Sequence, residues 1–137
     1  MLRYMLDTNI CIWVLKRRLP QVYKNFSKFS GKMCVSSITV EELQYGIERG
    51  AQSRRAEKQI AVDEFLSLLT VLDFDTRAAL HSADIRNTLR EQGCQIGAYD
   101  NLIAAHARSQ GLIVATNNVR EFERVPGLLI EDWLNVN

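Results

Sequence analysis

A layered α/β domain, with a mainly parallel central sheet flanked by helices, is the fold class this sequence predicts. Short apolar runs at Tyr4 to Leu6, Met33 to Ser36, Thr70 to Phe74 and Leu112 to Ala115 alternate with stretches of helical period. Parallel strands need such crossovers, and the crossovers are right-handed. The first and last of these runs also end alike, in Asp7-Thr8-Asn9 and in Thr116-Asn117-Asn118. Ligands of open parallel sheets sit in the crevice beyond the carboxyl ends of the strands, so these two exits mark a candidate site. With 137 residues, 47% of them hydrophobic, the chain can bury one core, and a single domain spanning 1–137 is expected.

Each element has a local reason. The run Ile10-Cys11-Ile12-Trp13-Val14-Leu15 turns helical and should stop near Arg18-Leu19, because Pro20 follows. Val22, Tyr23, Phe26 and Phe29 give the next segment an apolar helical face, which Gly31 breaks. After the strand ending at Ser36, a helix carries Leu43, Tyr45, Gly46 and Ile47; Thr39-Val40-Glu41-Glu42 fits a capping box, which alone would account for Glu42. Ser53 to Leu69 reads as a helix with a charged first half, leading into the strand Thr70 to Phe74. Asp75 suits the N-cap of a helix ending at Gly93. Gly93 to Tyr99 reads as a loop. A helix follows from Asp100 to Arg108, closed by Gly111, where Ala104, Ala105 and Ala107 permit close packing on the sheet. A short helix at Arg120 to Phe122, an edge strand at Leu128 to Ile130 and a turn with Trp133 complete the chain.

Charge and cysteine usage narrow the class. Lys plus Arg number 17 and Asp plus Glu 16, yet no acid occurs from Thr8 to Val40, where Lys16, Arg17, Arg18, Lys24, Lys28 and Lys32 all fall. That run reads either as a solvated basic hairpin or, beside an acidic cleft, as a track for a phosphate backbone. Cys11, Cys34 and Cys94 form no disulfide framework and no zinc spacing with His81 or His106, which suits a reduced cytoplasm. The longest run free of charged residues, Ser109 to Val119, has 11 residues, too short for a membrane span, and Asp7 and Asn9 interrupt any signal peptide.

Asp7, Glu42 and Asp100 each have a cheap structural explanation: strand end, capping box, or a helix N-terminus that favours negative charge. Jointly, each at a strand-to-helix passage and none with a matching Lys, they would crowd one crevice with negative charge. Such charges raise one another's pKa or recruit a cation. An all-oxygen set favours Mg²⁺ or Mn²⁺ over zinc. A hard divalent ion held in this way suits phosphodiester chemistry.

Four motifs in order at these spacings make the chain resemble the PIN-domain ribonucleases, most closely the VapC-type toxins of bacterial toxin–antitoxin pairs. They are Met5-Leu6-Asp7-Thr8-Asn9; Ser36-Ser37-Ile38-Thr39-Val40-Glu41-Glu42-Leu43 with Tyr45-Gly46; Ile96-Gly97 through Asp100 to Ala107; and Thr116-Asn117-Asn118 with Arg120-Glu121-Phe122. The ending, Gly127-Leu128 to Trp133, is also similar to these toxins. The resemblance implies a three-layer PIN-like domain and a Mg²⁺-dependent endoribonuclease, with Mn²⁺ as a substitute. Asp7, Glu42 and Asp100 would be its catalytic, metal-binding acids. Glu42 rather than Glu41 matches, since it directly precedes Leu43 and the Tyr45-Gly46 pair. The fourth acid position is Asn118 here, for which Glu121 could compensate, and this leaves one metal or two open. Thr8 and Thr116 would orient the carboxylates, while Lys16, Arg17, Arg18, Lys24 and Lys28 would hold RNA.

The resemblance further implies a homodimer and a cognate VapB-type antitoxin that alone contacts operator DNA. It implies an RNA substrate, first the initiator tRNA in its anticodon stem-loop, and no membrane association. Trp13, Tyr23, Phe26, Tyr45 and Phe65 are candidates to line an apolar groove for the antitoxin. A response-regulator receiver would need an acidic pair near the N-terminus and a lysine after a late strand. A haloacid-dehalogenase-type phosphatase would need an acid where Asn9 stands. A binding module whose acids are all caps is the remaining alternative.

Overall fold

The computed structural model describes residues 1–135. Its sheet contains β1 (Tyr4–Leu6), β2 (Met33–Ser36), β3 (Thr70–Leu72), β4 (Ile113–Thr116) and β5 (Leu129–Asp132), in the order β3-β2-β1-β4-β5. All the pairings are parallel, where the sequence predicted a mainly parallel sheet. The helices are α1 (Thr8–Lys16), α2 (Pro20–Lys28), α3 (Ser37–Glu48), α4 (Arg55–Ser67), α5 (Thr76–Glu91), α6 (Ala98–Gln110) and α7 (Val119–Phe122).

Alternation along each short strand divides the core into two layers. Tyr4, Leu6, Met33, Val35 and Ala115 face α1, α2, α3 and α4 and meet Ile10, Val14, Phe26, Leu43, Val62 and Phe65. Met5, Cys34 and Val114 face the opposite way, onto Ile85 and Leu89 of α5, Ile103 to Ala107 of α6, and Phe122 of α7. Trp133 closes the first layer, its ring stacked on Phe29 at 5.7 Å and edge-on to Tyr4 at 5.4 Å. Among the described residues no helix is long and apolar enough to cross a membrane.

From β1 the chain winds outward through β2 and β3, then crosses the sheet to β4 and winds outward the other way. The strand order therefore reverses between β1 and β4, which opens a crevice at their carboxyl ends. The register sets Leu6 beside Ala115, so Asp7 and Thr116 leave the sheet as neighbours.

Several boundaries differ from those expected, for local reasons. The helix expected from Ser53 starts at Arg55, after a 3₁₀ turn at Gln52–Arg54. The strand expected to reach Phe74 stops at Leu72, and the Phe74 amide donates to Ser37 Oγ instead of to the sheet. α6 begins at Ala98, not Asp100, because the Gly97 carbonyl already accepts from the Asn101 amide. Asp75 does cap α5, accepting from the Ala78 amide at 2.9 Å.

Candidate active site

Asp7 is still tied to the sheet, its amide donating to the Ala115 carbonyl at 3.0 Å. It occupies the N-cap position of α1, yet its side chain makes no capping bond. The carboxylate instead accepts from Thr116 Oγ1, at Oδ2 and 2.8 Å, and that hydroxyl in turn accepts from the Asn118 amide at 2.8 Å. Only 1% of the residue is exposed. Burial pushes its pKa up to about 6; Thr116 and the nearby amides of Asn9 and Thr8 oppose the rise, and the charge of Glu42 adds to it.

Glu42 is held from α1. Thr8 Oγ1 donates to Glu42 Oε1 at 2.6 Å and lies 3.0 Å from Thr39 Oγ1, so Thr39 supplies the proton for that second bond. The capping-box reading of Glu42 is thereby overturned. α3 starts three residues earlier than that reading requires, and Ser36 caps it, Oγ accepting from the Ile38 amide at 3.1 Å. Thr39 is a buried residue inside the helix, and its hydroxyl serves the crevice. Burial raises the Glu42 carboxyl above its usual range, Thr8 opposes this, and the neighbouring Glu41 adds to it. A hydrogen bond to a charged group is worth about 1.5–3 kcal/mol. Thr8→Val should therefore cut the rate at least about tenfold with the fold intact, checked by initial rates beside a circular dichroism spectrum.

Asp100 sits in the first turn of α6 and again makes no capping contact with the helix end. Its carboxyl pairs with that of Glu121 on α7. Burial first, then the shared hydrogen bond with Glu121 and the charges of Asp7, Glu121 and Glu42, push Asp100 up to about 8. Two carboxyls set this close favour a shared proton, which is the sense in which Glu121 raises Asp100. Asn118 stands behind the pair, Nδ2 donating to Glu121 Oε2 at 2.9 Å. The amide thus orients Glu121 and offers that acid its nitrogen rather than its oxygen. Next to it, Asn117 Oδ1 is buried without a hydrogen-bond partner.

Asp7, Glu42, Asp100 and Glu121 thus share one electrostatic neighbourhood, and among the described residues none of the ion pairs involves them. No three of the described His, Cys, Asp or Glu residues already form an ion cage. The donor chemistry still fits a hard divalent cation: oxygen ligands only, carboxylates held by threonine hydroxyls, and in the turn after β4 a buried amide oxygen, Asn117 Oδ1, without a partner.

The basic candidates lie elsewhere. Lys16, Arg17 and Arg18 are exposed at or just past the end of the nine-residue α1, a span of about 13 Å from Thr8. Arg17 covers the Tyr23 ring at 5.1 Å, Lys28 covers Phe29 at 5.3 Å, and Lys24 is exposed on α2. His106 is buried, its Nδ1 2.8 Å from Ser36 Oγ and its ring edge-on to Phe74, so it braces the cap of α3. His81 and Asp84 both receive the Arg108 guanidinium. A groove of about 410 Å³ runs between α1, α2 and α4, lined by Val14, Leu15, Tyr23, Phe26, Phe65 and Leu68. Tyr45 does not reach it, being exposed on α3.

A three-layer parallel sheet with acids gathered at its switch point defines a PIN domain, and a match to the PIN domain family spans residues 4–128: the chain belongs to that family. Its relatives narrow the class to VapC-type ribonucleases. The chain is 50% identical to the tRNA(fMet)-specific endonuclease VapC of Salmonella typhimurium, over 97% of this chain and 99% of that protein. It is 53% identical to ribonuclease VapC2 of Haemophilus influenzae, over 98% of this chain and all of the relative. Its structure resembles a chain of DNA-bound VapBC from Salmonella typhimurium, with a TM-score of 0.91, 47% identity and coverage of 97% and 99%. VapBC2 of Rickettsia felis, bound to a promoter DNA fragment, matches with a TM-score of 0.88 and 34% identity, covering 96% and 99%. PIN nucleases in general depend on a divalent metal.

Proposed function

We propose that this protein is the toxin of a toxin–antitoxin pair, a Mg²⁺-dependent endoribonuclease that cuts the initiator tRNA in its anticodon stem-loop and so stops translation, with Mn²⁺ able to substitute. The observation that carries this reading is the unpaired cluster of Asp7, Glu42, Asp100 and Glu121. It lies in a chain half identical to an endonuclease named for tRNA(fMet). Asp7 and Asp100, with Glu42, would hold the ion. When bound, the cation supplies an activated water and offsets the charge growing on the phosphodiester. Thr116 fixes Asp7, Thr39 and Thr8 fix Glu42, and Asn118 fixes Glu121. A bound cation would have to displace the proton that the raised pKa of Asp100 favours. Lys16, Arg17, Arg18, Lys24 and Lys28 are assigned to RNA phosphates remote from the cut.

The partner in this reading is a VapB-type antitoxin, which also carries the contact with operator DNA, and the toxin works in the cytoplasm as a homodimer. Solved neighbours that are VapBC complexes with DNA support it. So does the groove between α1, α2 and α4, whose mainly apolar lining suits an amphipathic helix.

The test is incubation of a bulk tRNA pool with purified, antitoxin-free protein in Mg²⁺, in Mn²⁺ and in excess EDTA. Discrete fragments in both metals and none in EDTA are expected, with one junction inside the initiator tRNA anticodon stem-loop. Intact initiator tRNA beside another cleaved RNA would replace the substrate, and fragments that persist in EDTA would remove the metal.

A further inference from the structure

The exposed face of α3 carries Glu41 and Tyr45, continued by Arg49 at its C-cap, at successive i, i+4 positions. Tyr45 is 61% exposed, and the Arg49 guanidinium lies over its ring at 5.9 Å. On α6, which packs against α3, Tyr99 is 44% exposed, and the nearby Glu41 carboxylate raises the pKa of its hydroxyl. Among the described residues these are the exposed aromatic side chains; the others are buried or half-buried. Neither ring belongs to either core layer. Each adjoins a site acid: Tyr45 follows Glu42 by one helical turn, and Tyr99 directly precedes Asp100. The backbone beside Tyr45 is open, since a Cβ on Gly46 would meet nothing within 4 Å.

We propose that Tyr45 and Tyr99 form a stacking lip at the mouth of the acidic crevice, receiving unpaired nucleobases next to the scissile phosphate while Arg49 meets the RNA backbone. The inference rests on the ribonuclease reading and deepens it. RNA loops are recognised chiefly by bases splayed onto aromatic faces, and such stacking tolerates sequence. The lip also supplies what the site lacks. The acids repel a polyanion, and the basic run of α1 and α2 starts about 13 Å away along α1. Rings bind bases without relying on charge, and Arg49 provides a cation one turn beyond Tyr45. A second copy of the chain is the poorer occupant. Two tyrosines offer at most about 500 Å² of contact, set among Glu41, Glu48 and Arg49, against about 800 Å² per partner in a stable interface.

The test uses the full chain in an Asp7→Asn background, which stops cleavage, with a short single-stranded RNA carrying 2-aminopurine, whose fluorescence is quenched on stacking. Binding and quenching should survive Tyr45→Phe and Tyr99→Phe. Both should weaken about tenfold or more per ring in Tyr45→Ala, Tyr99→Ala and the corresponding Leu variants. In the Asp7-containing protein the same Ala changes should raise KM for tRNA far more than they lower kcat. Unchanged quenching and KM in the Ala and Leu variants would overturn the lip even with metal-dependent cleavage intact. Loss of dimer in sedimentation, with quenching preserved, would reassign the face to contact between copies. The quenching assay needs no turnover, so a protein that stacks the probe yet cuts no RNA would sink the nuclease reading alone.

Discussion

Replacing Asp7 by Asn is expected to abolish RNA cleavage, lowering the rate by about a thousandfold or more, in a protein that remains folded. The two properties separate because of where the carboxylate points. A capping aspartate would accept from the first amides of α1, and its loss would cost about 1 kcal/mol of stability. Asp7 makes no capping bond; its side-chain hydrogen bond runs to Thr116, with the Asn9 and Thr8 amides close enough to ease its charge. An asparagine of the same shape can still accept from that hydroxyl through its Oδ1. What disappears is the buried charge, and with it the anchor for a divalent cation, worth several kcal/mol in the transition state. Initial rates on tRNA in saturating Mg²⁺, beside a melting curve in EDTA, read both properties. A variant that melts lower in EDTA at pH 8 would make Asp7 a structural residue. One that keeps a tenth of its activity would move the chemistry elsewhere.

How much of this could be read from the sequence depends on how local each feature is. The strand exits at Asp7-Thr8-Asn9 and Thr116-Asn117-Asn118 were legible because a short apolar run ending in polar residues carries its own signal, and the parallel fold then makes β1 and β4 neighbours. The position of Glu42 was ambiguous because a capping box is defined by spacing alone. The decision is made by the Thr8 hydroxyl, 34 positions away, once α1 and α3 are packed. Asn118 shows the same limit. Its place in the chain invites it to act as a ligand, while the turn presents its nitrogen to Glu121. The basic run looks continuous from Lys16 to Lys28, but α1 points away from the crevice, so charge close in sequence is not charge close to the acids. Helical spacing alone places Tyr45 with the groove aromatics, since it cannot say which helix face the sheet will cover, and the ring is exposed.

The acids also make stability depend on pH and metal together. Asp7 is raised from 3.8 to about 6 and Asp100 from 3.8 to about 8. The folded protein therefore binds these protons more tightly than the unfolded chain, and folding is favoured at low pH and loses stability as pH rises. For Asp7 the whole window from about 4 to about 6 is worth on the order of 3 kcal/mol. Asp100 is half-exposed, so solvent screening makes its contribution smaller than its shift suggests. His106 acts in the opposite sense, since burial lowers its pKa below 6.5 and stability grows as pH rises toward that value. Above 6.5 the acids act alone until, toward pH 8.5, the thiols of Cys11 and Cys34, held protonated by burial, add a smaller loss in the same direction. In EDTA the melting temperature should thus fall by about 5 °C between pH 6.5 and pH 8.5, and the fall should flatten in Asp100→Asn. Mg²⁺ must displace the same protons. Its stabilisation should be small at pH 5.5 and reach about 2–3 kcal/mol at pH 8 near a hundredfold excess over its Kd. A melting temperature that stays level with pH in EDTA, or a Mg²⁺ shift equal at both pH values, would show that the carboxyls are not linked through one ion.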